Sequence, residues 1–252
     1  MRRQFNIGFQ VALLAIIGLQ TSPLRAEEVP SLVSTEVLLT SAAGHKLAVM
    51  DPVHFSSDNT RAGVAQVQID PLMTRQTVTG IGTSFTESSA FVLAHLPEAA
   101  RRSVMAQLFS DQGANFSLAR TTIGATDFSV EGKYDYAPVA DDLDLQHFSI
   151  AEDRLGFDPA RYPGVIAPDF DLLPMIDEAL TIKQGQADSS LRIIASAWTA
   201  PPWMKDIAGY YQPGTAENNY QGTGGQLKPG YESVYADYLL RYLDAYAAAG
   251  VP

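Results

Sequence analysis

Three side chains stand where short apolar runs give way to loops: a guanidinium at Arg120, a carboxylate at Asp127 and an indole at Trp198. Trp198 closes the run Leu191-Arg-Ile-Ile-Ala-Ser-Ala197, which reads as a strand buried on both faces. The tandem Pro201-Pro202 then stops that strand. An indole in this place serves either as a flat platform for a sugar ring or as a core or loop anchor. Along Phe116-Ser-Leu-Ala-Arg120, alternation puts Phe116, Leu118 and Arg120 on one face. A guanidinium sharing a face with two apolar residues must be paired or line a polar cavity, because burying it alone is too costly. Asp127 follows in the loop beside Phe128, as a ligand contact or as the acid of an Asx turn. The same parity aligns Arg192, Ile194, Ser196 and Trp198, while Trp203, beyond the prolines, reads as a residue that closes the loop.

Other chemistries fit less well. Gly80-Ile-Gly82 lies between a strand and a helix, but Phe85 stands where a dinucleotide-binding loop needs its third glycine. Close backbone packing at a strand end explains these glycines better. Ser84 and Ser88 lack the Gly-x-Ser-x-Gly setting of a serine-hydrolase elbow. His45, His54, His95 and His147 show no paired metal-ligand spacing, so a metal site is not expected. Asn115-Phe-Ser117 fits the N-glycosylation pattern, but it sits at a strand start and is discounted.

The elements that must position these residues alternate. Strands are expected at Thr35–Leu39, Val64–Ile69, Thr77–Ile81, Phe116–Thr122 and the run before Trp198. A helical pattern begins at Thr86, and a second follows Pro97 at its first position, with Ala100, Val104 and Leu108 on one face. Asp169 or Asp171 caps a helix striped by Leu173, Ile176 and Leu180, with Pro174 in its first turn. The last helix, Tyr231–Ala249, repeats Tyr235, Tyr238, Leu239, Tyr242, Leu243 and Tyr246 before Gly250. A long polar loop carrying Asp141, Asp142 and Asp144 fills roughly 127–168. Strand–helix alternation implies parallel strands, in either an open doubly wound sheet or a (β/α)₈ barrel. The long insertions all follow strands, which is where a barrel places its functional loops.

Composition bounds the rest. A chain of 252 residues that is 46% hydrophobic has ample core. Arg2 and Arg3 precede the apolar run Ile7 to Leu19, too short to span a bilayer and suited to a signal peptide ending at Ala26. Without cysteine, disulfides and a lipoprotein anchor are excluded, and export to a bacterial periplasm or medium fits best. The expected organisation is a signal peptide at 1–26, a β element of a side domain at 27–70 and the main domain at 71–252. No integral membrane segment is expected after cleavage. The net charge of −11, three units more negative once residues 1–26 are removed, argues against a nucleic-acid partner.

Three separated blocks carry a family resemblance: Val78-Thr-Gly-Ile-Gly82 through Thr86-Glu-Ser-Ser-Ala90, Leu118-Ala-Arg120 through Thr126-Asp127-Phe128-Ser129, and Ser196-Ala-Trp198-Thr-Ala-Pro-Pro-Trp203-Met-Lys205. Their order and spacing, over roughly residues 65 to 252, resemble glycoside hydrolase family 30, the glucosylceramidase family. The first block departs from the family's usual Gly-Phe-Gly-Gly. The resemblance implies a (β/α)₈ TIM barrel of which about the first three βα units are present here, preceded by a short β-strand side element. It implies retaining hydrolysis of β-glycosides, with β-glucosides, glycolipids or oligosaccharides as substrates and no metal or organic cofactor. Asp127 and Trp198 would contact the glycone, and Arg120 would support the catalytic carboxylates from below. The acid/base of the family sits in Asn-Glu-Pro, which occurs nowhere in the chain. Both catalytic glutamates are therefore expected beyond residue 252, leaving this chain inactive alone. A non-catalytic sugar-binding protein that keeps the glycone pocket is the alternative.

Overall fold

The computed structural model describes residues 34–54, 63, 65, 67, 70, 72–130, 132–187, 189–207, 209–219 and 221–252. The expected signal peptide at 1–26 and most of the expected strand at 64–69 lie outside these residues. The described residues fall into two compact units, divided between Gln76 and Thr77. In the first, β1 (Ser34–Leu39) pairs antiparallel with β2 (Ala48–His54), from Ser34 opposite His54 to Leu39 opposite Ala48. The sequence did not announce β2, whose Asp51-Pro52 pair hides its period-two pattern and whose residues are mostly exposed.

The second unit holds a three-stranded parallel sheet in the order β3 (Gly82–Ser84), β4 (Leu118–Ile123), β5 (Arg192–Ala197). Helices α1 (Glu87–Ala94), α2 (Glu98–Phe109), α3 (Leu172–Gln184) and α4 (Glu232–Ala248) complete it. The first strand begins at Gly82, later than the expected Thr77–Ile81. Thr86 caps α1 by accepting the Ser89 N–H at 3.1 Å. Of the two aspartates available to α3, Asp171 caps it; its Oδ1 accepts from Leu172 N at 2.7 Å and its Oδ2 from Gly156 N at 2.9 Å. Pro97 sits one position earlier than expected, at the cap of α2.

Helices pack on one face of the sheet, where Phe85, Met105, Phe109, Ala119, Ile123 and Ile176 make the core. Two sequence expectations therefore change. Strand β5 is not buried on both faces, since Ile194 is 62% exposed while Ile193 and Ala195 pack against the core. On α2 the buried residues are Met105 and Phe109, not Ala100 or Val104, because the face turned to the sheet lies one residue further along. Phe116 also leaves its expected place beside Arg120. The backbone turns at Asn115 (φ 48°), and the Phe116 ring joins the helix layer 6.5 Å from Phe109.

Between Gly124 and Asp171 the chain is no mere polar loop. It buries Tyr136, Leu145, Phe157 and Phe170, with a 3₁₀ turn at Ala151–Arg154. At its centre the buried carboxylate of Asp153 accepts hydroxyl protons from Tyr136 at 2.8 Å, Tyr134 at 3.1 Å and Tyr246 at 2.6 Å. Tyr246 belongs to the buried stripe Tyr238, Tyr242 and Tyr246 of α4, so the aspartate ties the segment to the last helix. Asn115 is likewise occupied, accepting from the fully buried Lys183 ammonium at 2.8 Å.

Two predictions follow from this packing. A Cβ at Gly82 would stand 2.4 Å from the carbonyl oxygen of Leu118, which is backbone and cannot yield without parting β3 from β4. Gly82→Ala is expected to destabilise the protein by about 1–3 kcal/mol in urea unfolding. Burial raises Asp153 to about 6, against the lowering effect of its three tyrosine donors. The folded state thus holds this proton more tightly than the unfolded chain does. Its stabilising contribution is complete below about pH 4 and is lost as pH rises through about 6, a change of about 3 kcal/mol. Asp153→Asn is expected to lack that decline when unfolding midpoints are compared from pH 4 to 7.

Candidate functional site

Because β3, β4 and β5 run parallel, their carboxyl ends share one edge of the sheet, and the three loops that leave them gather there. The register pairs Arg120 with Ile194, Thr122 with Ser196 and Ile123 with Ala197, so Trp198 emerges immediately past the last pair. The Arg120 guanidinium lies 5.5 Å from the centre of the Trp198 ring. This contact places both residues on the sheet face opposite the helices. The indole remains 47% exposed, so the guanidinium orders it without covering it.

Asp127 is exposed at the same edge, in a loop shaped by its neighbours. Gly124, with φ of 75°, turns the chain out of β4. Thr126 Oγ1 then accepts from Phe128 N at 3.0 Å, and Ser129 Oγ accepts from Thr126 N at 2.9 Å. The loop is bolted to the first turn of α1: Phe128 O accepts from Ser88 N at 3.0 Å and Ser88 Oγ at 2.6 Å. The buried Glu87 carboxylate accepts from Val130 N at 2.7 Å. The first two sequence blocks thus meet physically. Glu87 and Ser88 hold the backbone that follows Asp127.

The third block holds the loop after β5 in the same way. Lys205 is buried, and burial lowers its affinity for a proton while Asp206 opposes that effect. Its ammonium donates to Tyr210 O at 2.8 Å, Gly224 O at 2.9 Å and the hydroxyl of Thr199, the neighbour of Trp198. Trp203 closes the loop as expected, donating its indole N–H to Ala137 O at 2.8 Å. The hydroxyl of Tyr210 donates to Asp135 at 2.8 Å, joining this loop to the one after β4. Burial, then the Asp135 charge, hold that phenol far above its ordinary value.

Sequence reasoning singled out Arg120, Asp127 and Trp198, and the structure joins Arg120 to Trp198 directly. It missed the supporting groups Glu87, Asp135, Lys133 and Lys205. Glu87 and Lys205 carry a usable signal, since each lies within a block that runs across the end of a strand. Asp135 and Lys133 carry none, because their partners are more than 70 residues away in the chain or depend on loop conformation. Among the described residues no group of three or more His, Asp and Glu is placed to hold a metal ion. No helix among them is long and apolar enough to cross a membrane.

The chain matches the glycosyl hydrolase family 30 TIM-barrel domain over residues 78–252. It is 26% identical over 248 residues to endo-1,6-β-D-glucanase neg1 of Aspergillus fumigatus, covering 96% of this chain and 47% of that protein. It is 25% identical over 176 residues to the lysosomal acid glucosylceramidase of Mus musculus, covering 70% of this chain and 29% of that one. Among solved structures, SrfJ from Salmonella typhimurium superposes with a TM-score of 0.54 at 27% identity, over 70% of this chain and 32% of SrfJ. The chain therefore spans between about a third and a half of the length of such relatives. Its three-stranded parallel sheet with helices on one face corresponds to partial (β/α) units of that barrel. The chain belongs to glycosyl hydrolase family 30.

Proposed function

We propose that residues 77–252 form the glycone-binding side of an exported, retaining β-glycosidase acting on β-glucosides. The observation that carries this reading is the ordered but half-open indole of Trp198. Arg120 holds it at the strand edge that also bears Asp127. An indole face suits the axial C–H surface of a pyranose, and a carboxylate beside it suits the hydroxyls. Arg120 lies beneath the indole, where its fixed positive charge favours the ionised form of carboxylates brought to the site. Relatives named as glucosylceramidases and endo-1,6-β-glucanases support a β-glucoside as substrate.

Retaining hydrolysis needs an acid/base and a nucleophile about 5–5.5 Å apart. The buried acids at this edge are committed elsewhere. Glu87 accepts from Val130 N, and Asp135 accepts from Ala137 N and the Tyr210 hydroxyl. Asp127 alone does not make a pair. On this reading residues 1–252 bind the glycone and do not cleave the bond. The expected signal peptide and a sequence without cysteine support export.

With an aryl β-glucoside, residues 1–252 alone are expected to show no turnover, and measurable release of the aryl group would overturn this division of labour. In the full-length protein, Trp198→Ala is expected to weaken binding of methyl β-glucoside at least tenfold by calorimetry. Unchanged affinity there would refute the platform. Glu87→Ala should release the Asp127 loop, seen as faster hydrogen exchange at Phe128 and Val130 with α2 unaffected, and should weaken the same sugar severalfold.

A further inference from the structure

We infer that Tyr211 is a second sugar platform beside Trp198, and that the site accepts a β-linked oligosaccharide rather than a glycolipid. This inference rests on the glycone site proposed above and deepens it.

Tyr211 is 60% exposed, yet its surroundings are fixed. On its N-terminal side, the carbonyl of Tyr210 accepts from Lys205 at 2.8 Å and from the Thr199 hydroxyl at 3.2 Å, and the Tyr210 hydroxyl is held by Asp135. On its C-terminal side, Gln212 and Thr223 exchange two backbone hydrogen bonds, at 2.7 and 2.9 Å, across an isolated bridge. The backbone at Tyr211 is thus pinned on both sides while its ring projects into solvent. Exposed aromatic rings on unsupported loops lose much of their binding energy to ordering, and this ring does not face that loss.

Its position follows from the same contacts. Thr199 neighbours Trp198, and Tyr210 neighbours Tyr211, so one hydrogen bond joins the two aromatic positions. Successive Cα atoms are about 3.8 Å apart, so Trp198 and Tyr211 each start one residue from that bond, a backbone separation suited to adjoining pyranose units. The Lys133 ammonium lies 5.8 Å from the Tyr211 ring centre and also donates to Thr126 O, next to Asp127. Lys133 therefore bridges Tyr211 to the Asp127 loop. On this inference Trp198, Asp127 and Tyr211 surround one mouth.

The chemistry of that mouth decides between a second sugar and a lipid tail. From Tyr211 to Glu217 every residue is exposed, and the loop around the ring offers Gln212, Thr215, Asn218 and Thr223. An aromatic face among amides, hydroxyls and an ammonium matches a pyranose, which has an apolar face and a polar rim. An acyl chain needs a continuous apolar patch, which the described residues of this loop do not supply.

The test uses the full-length protein and calorimetry with three probes, methyl β-glucoside, octyl β-glucoside and gentiobiose, each S-linked so that it resists hydrolysis. In Tyr211→Ala the affinity ratio of S-linked gentiobiose to methyl β-glucoside is expected to fall about five- to tenfold. Tyr211→Phe should preserve the ratio, because the ring remains. Trp198→Ala should weaken both ligands together. If Trp198→Ala weakens both and Tyr211→Ala leaves the ratio unchanged, the second platform is refuted and the glycone site stands. If Trp198→Ala affects neither, the glycone site itself fails and this inference with it. Loss confined to octyl β-glucoside in Tyr211→Ala would assign the ring to a lipid aglycone and overturn the oligosaccharide.

Discussion

Six consecutive pairs, from Leu118 opposite Arg192 to Ile123 opposite Ala197, hold β4 against β5, and the site inherits its geometry from that register. Side chains along a strand alternate between faces, so a slip of one residue would send Trp198 to the helix side and leave Arg120 facing away from it. The register is secured from the helix side. Ala119 and Ile123 are buried against α-helices, and Thr121 is buried between them. Any slip would expose these residues and bury Arg120, at a cost that apolar packing could not offset. Core packing on one face therefore enforces the placement of polar residues on the other.

The loops depend on buried charge in a comparable way. Glu87, Asp153 and Lys205 are all buried, and each gathers hydrogen bonds from segments distant in sequence. A buried charge is unfavourable until its partners are complete, so these groups penalise every loop conformation except the one that satisfies them. Long loops with no such centres would sample many shapes. Here Asp153 collects three tyrosines and Lys205 collects three oxygens, and the loops after β4 and β5 are defined by those requirements. Trp203 and Tyr210 then lock the two loops together through Ala137 and Asp135.

This division explains what the chain disclosed before its structure was known. Strand β4, strand β5 and the helices were legible because their signals are local: alternation, helical period, and caps such as Thr86 and Asp171. The strand ends were legible for the same reason, since Pro201-Pro202 keeps β5 from continuing beyond the loop that Trp198 opens. Strand β2 was hidden because an exposed hairpin strand needs no apolar face. The segment after β4 was misread as polar because its aspartates are frequent and its buried residues, Tyr136, Leu145 and Phe157, follow no period. An irregular segment buries side chains one at a time, guided by tertiary contacts that leave no rhythm in sequence.

The contact between Arg120 and Trp198 shows why the polar side of the sheet needs both classes of signal. Parity alone places a cation and an indole on one face, but 5.5 Å between them requires that β4 and β5 be adjacent and in this register. The guanidinium is only partly buried, and the indole's electron-rich face replaces some of the water it loses. In return the indole loses rotational freedom, so a ring that is 47% exposed is held against one neighbour. A lysine at position 120 would keep the charge without the flat, delocalised surface that stacks on a ring. The arginine therefore serves two ends through one contact: it orders the indole, and it fixes positive charge at the strand edge that bears Asp127.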